Sequence, residues 1–215
     1  MSFDRLAPHY RWMEAVLAGR KLQRCRMAWV DEVRDCRRVL IAGVGQGRFL
    51  EMAVREMRGS EFVCVDASAA MLDRARVVAP HTGECERVRF IHATLPDWKP
   101  ERADFDLIVT HFFLDCFPEP MLSQVIARLA DAATPDARWL LSDFQIPARG
   151  AARLRARVVL ALAYAFFRIT TRLPAKRLVA PDDALTRNGF VLQQRRVADW
   201  GLLHSDVWKR TAGRA

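Results

Sequence analysis

The chain has 215 residues, 51% of them hydrophobic and 27% charged, with ten glycines and ten prolines. This composition excludes collagen-like, low-complexity and disordered proteins, and the length suits one domain of the larger kind. The net charge of +9 is unevenly placed: residues 1–147 hold 20 Lys or Arg against 21 Asp or Glu, whereas residues 148–215 hold 14 against 4.

The longest apolar run, Val158 to Phe167, has ten residues, about half the length of a membrane-spanning helix, so no span is expected. The first sixteen residues contain Asp4 and no apolar stretch, which does not read as a secretory signal. Five cysteines, Cys25, Cys36, Cys64, Cys85 and Cys116, never stand in C-x-x-C spacing. They read as reduced packing thiols rather than a disulfide framework or a zinc cage, and no metal site is expected. The expected location is the cytoplasm, with a peripheral contact at the inner membrane surface left open.

Residues 5–34 carry apolar groups at helical spacing and read as one or two leading helices. Val39 to Ala42 is a short apolar run that ends in Gly43-Val44-Gly45-Gln46-Gly47, a buried strand feeding a glycine turn. A helix follows from Arg48 to about Met57. Glu61 to Asp66 is a second buried strand ending in an acid, and Ser68 is placed to cap the next helix. Val88 to His92, Phe105 to Thr110 and Arg138 to Ser142 are further strand candidates, with a helix over Glu119 to Ala132.

Arg149, Arg153, Arg155 and Arg157 then lead into the apolar decapeptide, followed by Arg168, Arg172, Lys176 and Arg177. A basic amphipathic helix of this kind suits a membrane surface or another anionic partner, or it packs on the domain with a solvated charged face. Asp182 to Asn188 is a short helix, and Phe190 to Val197 with Leu202 to Trp208 form a closing antiparallel pair.

Continuous apolar strands separated by helices indicate a parallel sheet covered on both faces. The predicted fold is a doubly wound α/β domain with a mostly parallel seven-stranded sheet and a C-terminal antiparallel hairpin. One domain spans 1–215: a helical cap (1–36), a cofactor-binding core (37–147), a basic helical insertion (148–180) and a closing helix and hairpin (181–215).

Ligands bind such sheets at the carboxyl ends of the strands. Position 48 is Arg, so the dinucleotide fingerprint G-x-G-x-x-G fails, and the Gly-Lys-Ser/Thr ending of a P-loop is absent. G-x-G-x-G with Asp66 about twenty residues later fits better, because a carboxylate there accepts hydrogen bonds from paired ribose hydroxyls.

Together with F-D-R-L-A-P-H-Y at the start, V-C-V-D-A-S, H-A-T-L-P, F-D-L-I-V-T-H-F-F-L-D and W-L-L-S-D-F, the chain resembles the class I S-adenosylmethionine-dependent methyltransferases. The helix after the fifth strand looks like the small-molecule and quinone-type group. The resemblance implies S-adenosylmethionine as cofactor, held by Gly43, Gly45 and Gly47, by Asp66 with Ala67 on the ribose side, by Ala93 and Thr94 near the adenine, and by Tyr10 as a closing residue. Two positions depart from the usual pattern: Ala42 stands where an acid is common, and His92 replaces an acid after the third strand.

The candidates for a general base are His111 and Asp115 after the fourth strand and Asp143 after the fifth. Phe112, Phe113, Ala163, Tyr164, Phe166 and Phe167 suggest an apolar mouth, hence a hydrophobic small-molecule acceptor methylated by in-line displacement. The basic stretch 149–177 offers a peripheral membrane contact. Nucleic-acid methylation is the competing reading on charge, and it is disfavoured because Thr110-His111-Phe112-Phe113 is not an Asn/Asp-Pro-Pro-aromatic motif. A non-catalytic cofactor-binding protein is the third.

Overall fold

The computed structural model describes residues 19–78, 85–171 and 177–211. Helix α1 (Gly19–Met27) precedes β1 (Arg38–Ala42), α2 (Arg48–Glu56), β2 (Glu61–Asp66), α3 (Ala69–Val78), β3 (Val88–His92) and β4 (Phe105–His111). Then come α4 (Glu119–Asp131), β5 (Ala133–Phe144), α5 (Gly150–Thr171), α6 (Asp182–Arg187), β6 (Phe190–Ala198) and β7 (Leu203–Arg210). The seven strands form one sheet in the order β3-β2-β1-β4-β5-β7-β6. Only β7 runs against its neighbours β5 and β6.

The apolar runs form strands because both faces of the sheet are covered. Leu40 and Ala42 point into a core shared with Ile126, Leu129 and Trp139, while Val39 and Ile41 point into a second core with Leu50, Phe62 and Leu107. Alternate residues thus need opposite apolar partners, which is why the sequence does not alternate in polarity. A third, smaller cluster joins Leu22 and Cys25 of α1 to Ala156, Leu160 and Tyr164 of α5 and to Leu202 and Leu203. It sits over the carboxyl ends of the strands as a roof.

Helix α1 is fixed to the sheet through the carbonyl of Cys25, which lies 3.1 Å from Ser142 Oγ and 2.8 Å from Ser205 Oγ. Trp29 Nε1 donates to Ser205 O at 2.9 Å. These buried serines satisfy the end of a short helix that its own hydrogen bonds leave open.

The elements match the sequence-based expectation closely, with two differences. Strand β5 starts at Ala133 rather than Arg138: Ala133 pairs with Phe105 and Arg138 with Leu107, so residues 134–137 bulge out of register. Thr134, Pro135 and Asp136 read as a turn, yet a bulge tolerates proline inside a strand. Strand β7 also runs two residues further, to Arg210. Ser68 caps α3 as expected, its Oγ accepting from Met71 N at 3.2 Å. Among the described residues no helix is long and apolar enough to cross a membrane, and no cluster of His, Cys, Asp and Glu could hold a metal.

Candidate active site

Strand order reverses between β1 and β4, and the loops after those strands border one continuous cavity. One half is built mostly by backbone. Gly43 N–H donates to Val65 O at 2.8 Å, and Gly45 N–H donates to Asp66 Oδ2 at 2.9 Å. Ser68 N–H holds the other carboxylate oxygen, Oδ1, at 2.9 Å. Asp66 is therefore fixed at the end of β2 by a bond on each oxygen, and it borders the cavity.

The glycines do three different things. Gly45 is the open member: a Cβ built there would meet nothing within 4 Å. At Gly43, with φ of 72°, a Cβ would come within 2.2 Å of the Phe113 ring, so glycine is needed for the aromatic ring to rest on the loop. Gly47, expected to touch a cofactor, does not border the cavity and instead abuts Ala75 of α3 at the N-terminus of α2.

Ala67, Ala93 and Thr94 border the same half, with Val65, Met71 and Leu95 supplying apolar walls. Thr94 Oγ1 is committed to Asp97 Oδ2 at 3.0 Å. His92 lies outside the cavity lining and its Nε2 stands 3.1 Å from Ala67 O, so it braces the loop after β2 in place of touching a ligand. Ala42 is buried in the core at the end of β1. Tyr10 lies outside the described residues. The open Gly45, the anchored Asp66 and the apolar slot of Val65, Met71 and Leu95 together fit a ribonucleoside whose sugar hydroxyls meet the carboxylate.

The other half is assembled from distant parts of the chain. Leu22 and Arg26 come from α1, Phe112 and Phe144 from the ends of β4 and β5, Val159, Leu160, Ala163 and Tyr164 from α5, and Leu202 and Leu203 from the start of β7. Arg26 and Phe49 carry no local sequence signal that marks them; their place depends on how α1 and α2 fold over the sheet. Phe112 takes φ of 54°, a costly conformation for an aromatic residue. Its ring lies 5.1 Å from the Arg26 guanidinium and 5.4 Å from the Phe144 ring.

The three base candidates differ. His111 borders the cavity with both ring nitrogens buried and without a hydrogen-bond partner, and its ring stands edge-on to Phe49 at 4.7 Å. Burial, helped by the Arg26 charge, pushes its pKa down to about 3, so the imidazole is neutral at physiological pH. Asp115 also borders the cavity, and burial pushes its carboxyl up to about 6 even though Cys116 Sγ donates to Oδ1 at 3.7 Å.

Asp143 does not reach the cavity. Its Oδ2 accepts Asp115 N–H at 3.2 Å and its Oδ1 accepts Phe144 N–H at 2.8 Å, so it fixes the Asp115 turn from behind. Burial and the neighbouring Asp115 charge hold its carboxyl well above the usual range. Tyr164 O–H donates to Asp115 O at 3.1 Å and ties α5 to the same turn. Cys116 is half-buried, and burial raises its thiol pKa, as expected of a packing residue.

A reversed last strand on a doubly wound sheet, with a glycine loop and a strand-end acid at the switch point, defines a class I methyltransferase fold. Residues 39–136 match the family described as a methyltransferase domain. No curated protein matches the sequence. Among solved structures, mitomycin 7-O-methyltransferase MmcR is similar at a TM-score of 0.73 and 16% identity, over 98% of this chain and 61% of that one. An O-methyltransferase family 2 protein from Planctomyces limnophilus, in complex with apigenin, is similar at 0.68 and 14%, over 94% and 61%. Magnesium protoporphyrin IX methyltransferase from Synechocystis, with bound SAH, is similar at 0.65 and 19%, over 88% and 83%.

Residues 39–136 thus carry the methyltransferase-domain match on a class I methyltransferase fold, and that match together with the SAH-bound neighbour points to S-adenosylmethionine as cofactor. The chain spans about three fifths of the length of the mitomycin enzyme.

Proposed function

We propose that the protein transfers the methyl group of S-adenosylmethionine to a hydroxyl of a hydrophobic small molecule. The carrying observation is the continuous cavity, which joins the Gly45 and Asp66 shelf to an apolar wall of Phe112, Phe144, Leu160 and Leu202 with Asp115 bordering the same space. The apigenin bound to the Planctomyces relative and the mitomycin named for the other favour the same acceptor class.

When bound, S-adenosylmethionine supplies a methyl already activated for displacement. Asp66 receives the ribose hydroxyls, Gly45 leaves room for the backbone to be approached closely, and Ala93 and Thr94 stand beside the base. Asp115 takes the acceptor proton, because a carboxyl with a pKa of about 6 is ionised at neutral pH and still basic enough to accept it. His111, neutral and with both nitrogens open, exchanges hydrogen bonds with the acceptor and orients it. Asp143 and Tyr164 are positioning residues that hold the Asp115 turn.

The test is a methyl-transfer assay on a panel of phenols, with Asp115→Asn beside the wild type. Turnover on apolar phenols that collapses in the variant is expected. Turnover on nucleic acid alone would overturn the reading.

A further inference from the structure

Helix α5 has two apolar faces. Ala156, Leu160 and Tyr164 are buried in the roof of the cavity. At 100° per residue the opposite side carries Leu154, Val158 and Leu162, which are 68%, 51% and 68% exposed. Arg157 flanks this stripe on one side and Arg155 on the other, and Arg153 stands in the first turn of the helix, all exposed. A helix that merely covers a core turns polar groups outward, so the stripe calls for a second contact.

The turn after β6 supplies an independent observation. Asp199, Trp200 and Gly201 have φ of 50°, 58° and 83°, a run that is unfavourable for residues with a side chain. The Asp199 carboxylate is fixed by Lys21 Nζ at 2.5 Å and Arg155 Nη2 at 3.1 Å, and Arg155 Nη1 also donates to Asp199 O at 3.2 Å. Pro147 packs on Gly201, where a Cβ would come within 2.8 Å of the proline ring. These contacts hold the indole of Trp200 out in solvent, 77% exposed, on the flank of α5 that bears Arg155.

We infer that Leu154, Val158, Leu162 and Trp200, with Arg149, Arg153 and Arg157 around them, form a docking surface for an anionic lipid bilayer. An indole prefers the level of the headgroups, an aliphatic stripe the acyl boundary, and arginines the lipid phosphates. Charge decides between a bilayer and a second copy of the chain: the face carries Arg149, Arg153 and Arg157, and no Asp or Glu stands in the sequence between Asp143 and Asp182, so two such faces would meet with like charge.

The inner side of the same helix lines the acceptor half of the cavity. An apolar acceptor would therefore pass from lipid to cavity beside one helix. This consequence rests on the methyl-transfer reading, whereas the contact itself does not.

The test is sedimentation with vesicles of mixed phosphatidylcholine and phosphatidylglycerol, beside phosphatidylcholine alone. Binding to the mixed vesicles at low salt, weakened by added salt and weak on phosphatidylcholine, is expected. The exposed double variant Arg153→Glu, Arg157→Glu should lower the affinity at least about 25-fold, at about fivefold per lost arginine. Brominated lipids should quench the wild-type tryptophan emission and leave that of Trp200→Ala nearly unchanged.

Titration with S-adenosylhomocysteine without vesicles should be the same in all variants, because none of these residues borders the cavity. Vesicle binding without cofactor binding would remove the proposed function and leave the docking surface standing. No binding at low salt, equal binding of wild type and variants, or a dimer that Leu154→Asp dissociates would overturn the docking proposal.

Discussion

The two halves of the cavity are made by different means. The cofactor half is local: backbone N–H groups of Gly45 and Ser68 fix one carboxylate, within two consecutive strand-loop-helix units. The acceptor half gathers side chains from α1, β4, β5, α5 and β7, separated by up to about 180 residues in the chain. The first kind of site depends on turn geometry and changes little with packing. The second depends on every element of the roof and is where the proposed function puts acceptor specificity.

The largest expected effect falls at the junction of the halves. Asp115→Asn should lower kcat by about 10²–10⁴-fold with the cofactor affinity within about twofold. In the wild type, kcat/KM should rise with pH and level off above about 6, the value to which burial pushes Asp115, and the variant should lose that limb. A loss of cofactor affinity in Asp115→Asn would show that the halves are not separable.

Stability against pH gives a second separation, with opposite signs. The raised pKa of Asp115 means that the folded state binds the extra proton, so its contribution is present below about pH 4 and lost as pH rises through 6. His111 is depressed to about 3, so its contribution is present above about 6.5 and lost as pH falls toward 3. The two slopes oppose each other in the wild type. Urea titrations at several pH values should show the fall with rising pH reduced in Asp115→Asn, the remainder belonging to buried Asp143, and the rise removed in His111→Phe.

Smaller effects probe the two construction modes. Gly43→Ala forces a Cβ against Phe113 at positive φ and should cost about 1–3 kcal/mol, read as a lower urea midpoint. Tyr164→Phe removes one hydrogen bond to the Asp115 turn and should cost about 0.5–1.5 kcal/mol. Its acceptor KM should change while its cofactor affinity stays constant.

The same contrast explains what the sequence revealed. The cofactor half was legible because glycines at 43 and 45 and an acid at 66 are forced by local backbone geometry. Gly47 was expected at the ligand by position alone, whereas it abuts Ala75 outside the cavity lining, and His92 at the end of β3 braces the loop after β2. Asp143 follows β5 as expected, but the β5 register turns its carboxylate to backbone N–H groups behind the cavity. Arg26 and Phe49 could not be read at all, since only the docking of α1 through Ser142 and Ser205 and the packing of α2 bring them to His111. The strained Trp200 turn was hidden for the same reason, because the partners of Asp199 lie 44 and 178 residues away.

One measurement tests the central division most directly: calorimetric titration of S-adenosylhomocysteine into the wild type, Asp66→Ala and Asp115→Asn, with NAD as control ligand. The expected result is saturable binding in the wild type and Asp115→Asn, a loss of about 100-fold or more in Asp66→Ala, where two ribose hydrogen bonds to a charged group disappear, and no binding of NAD. Equal affinity in the wild type and Asp66→Ala, or no binding in the wild type, would contradict it.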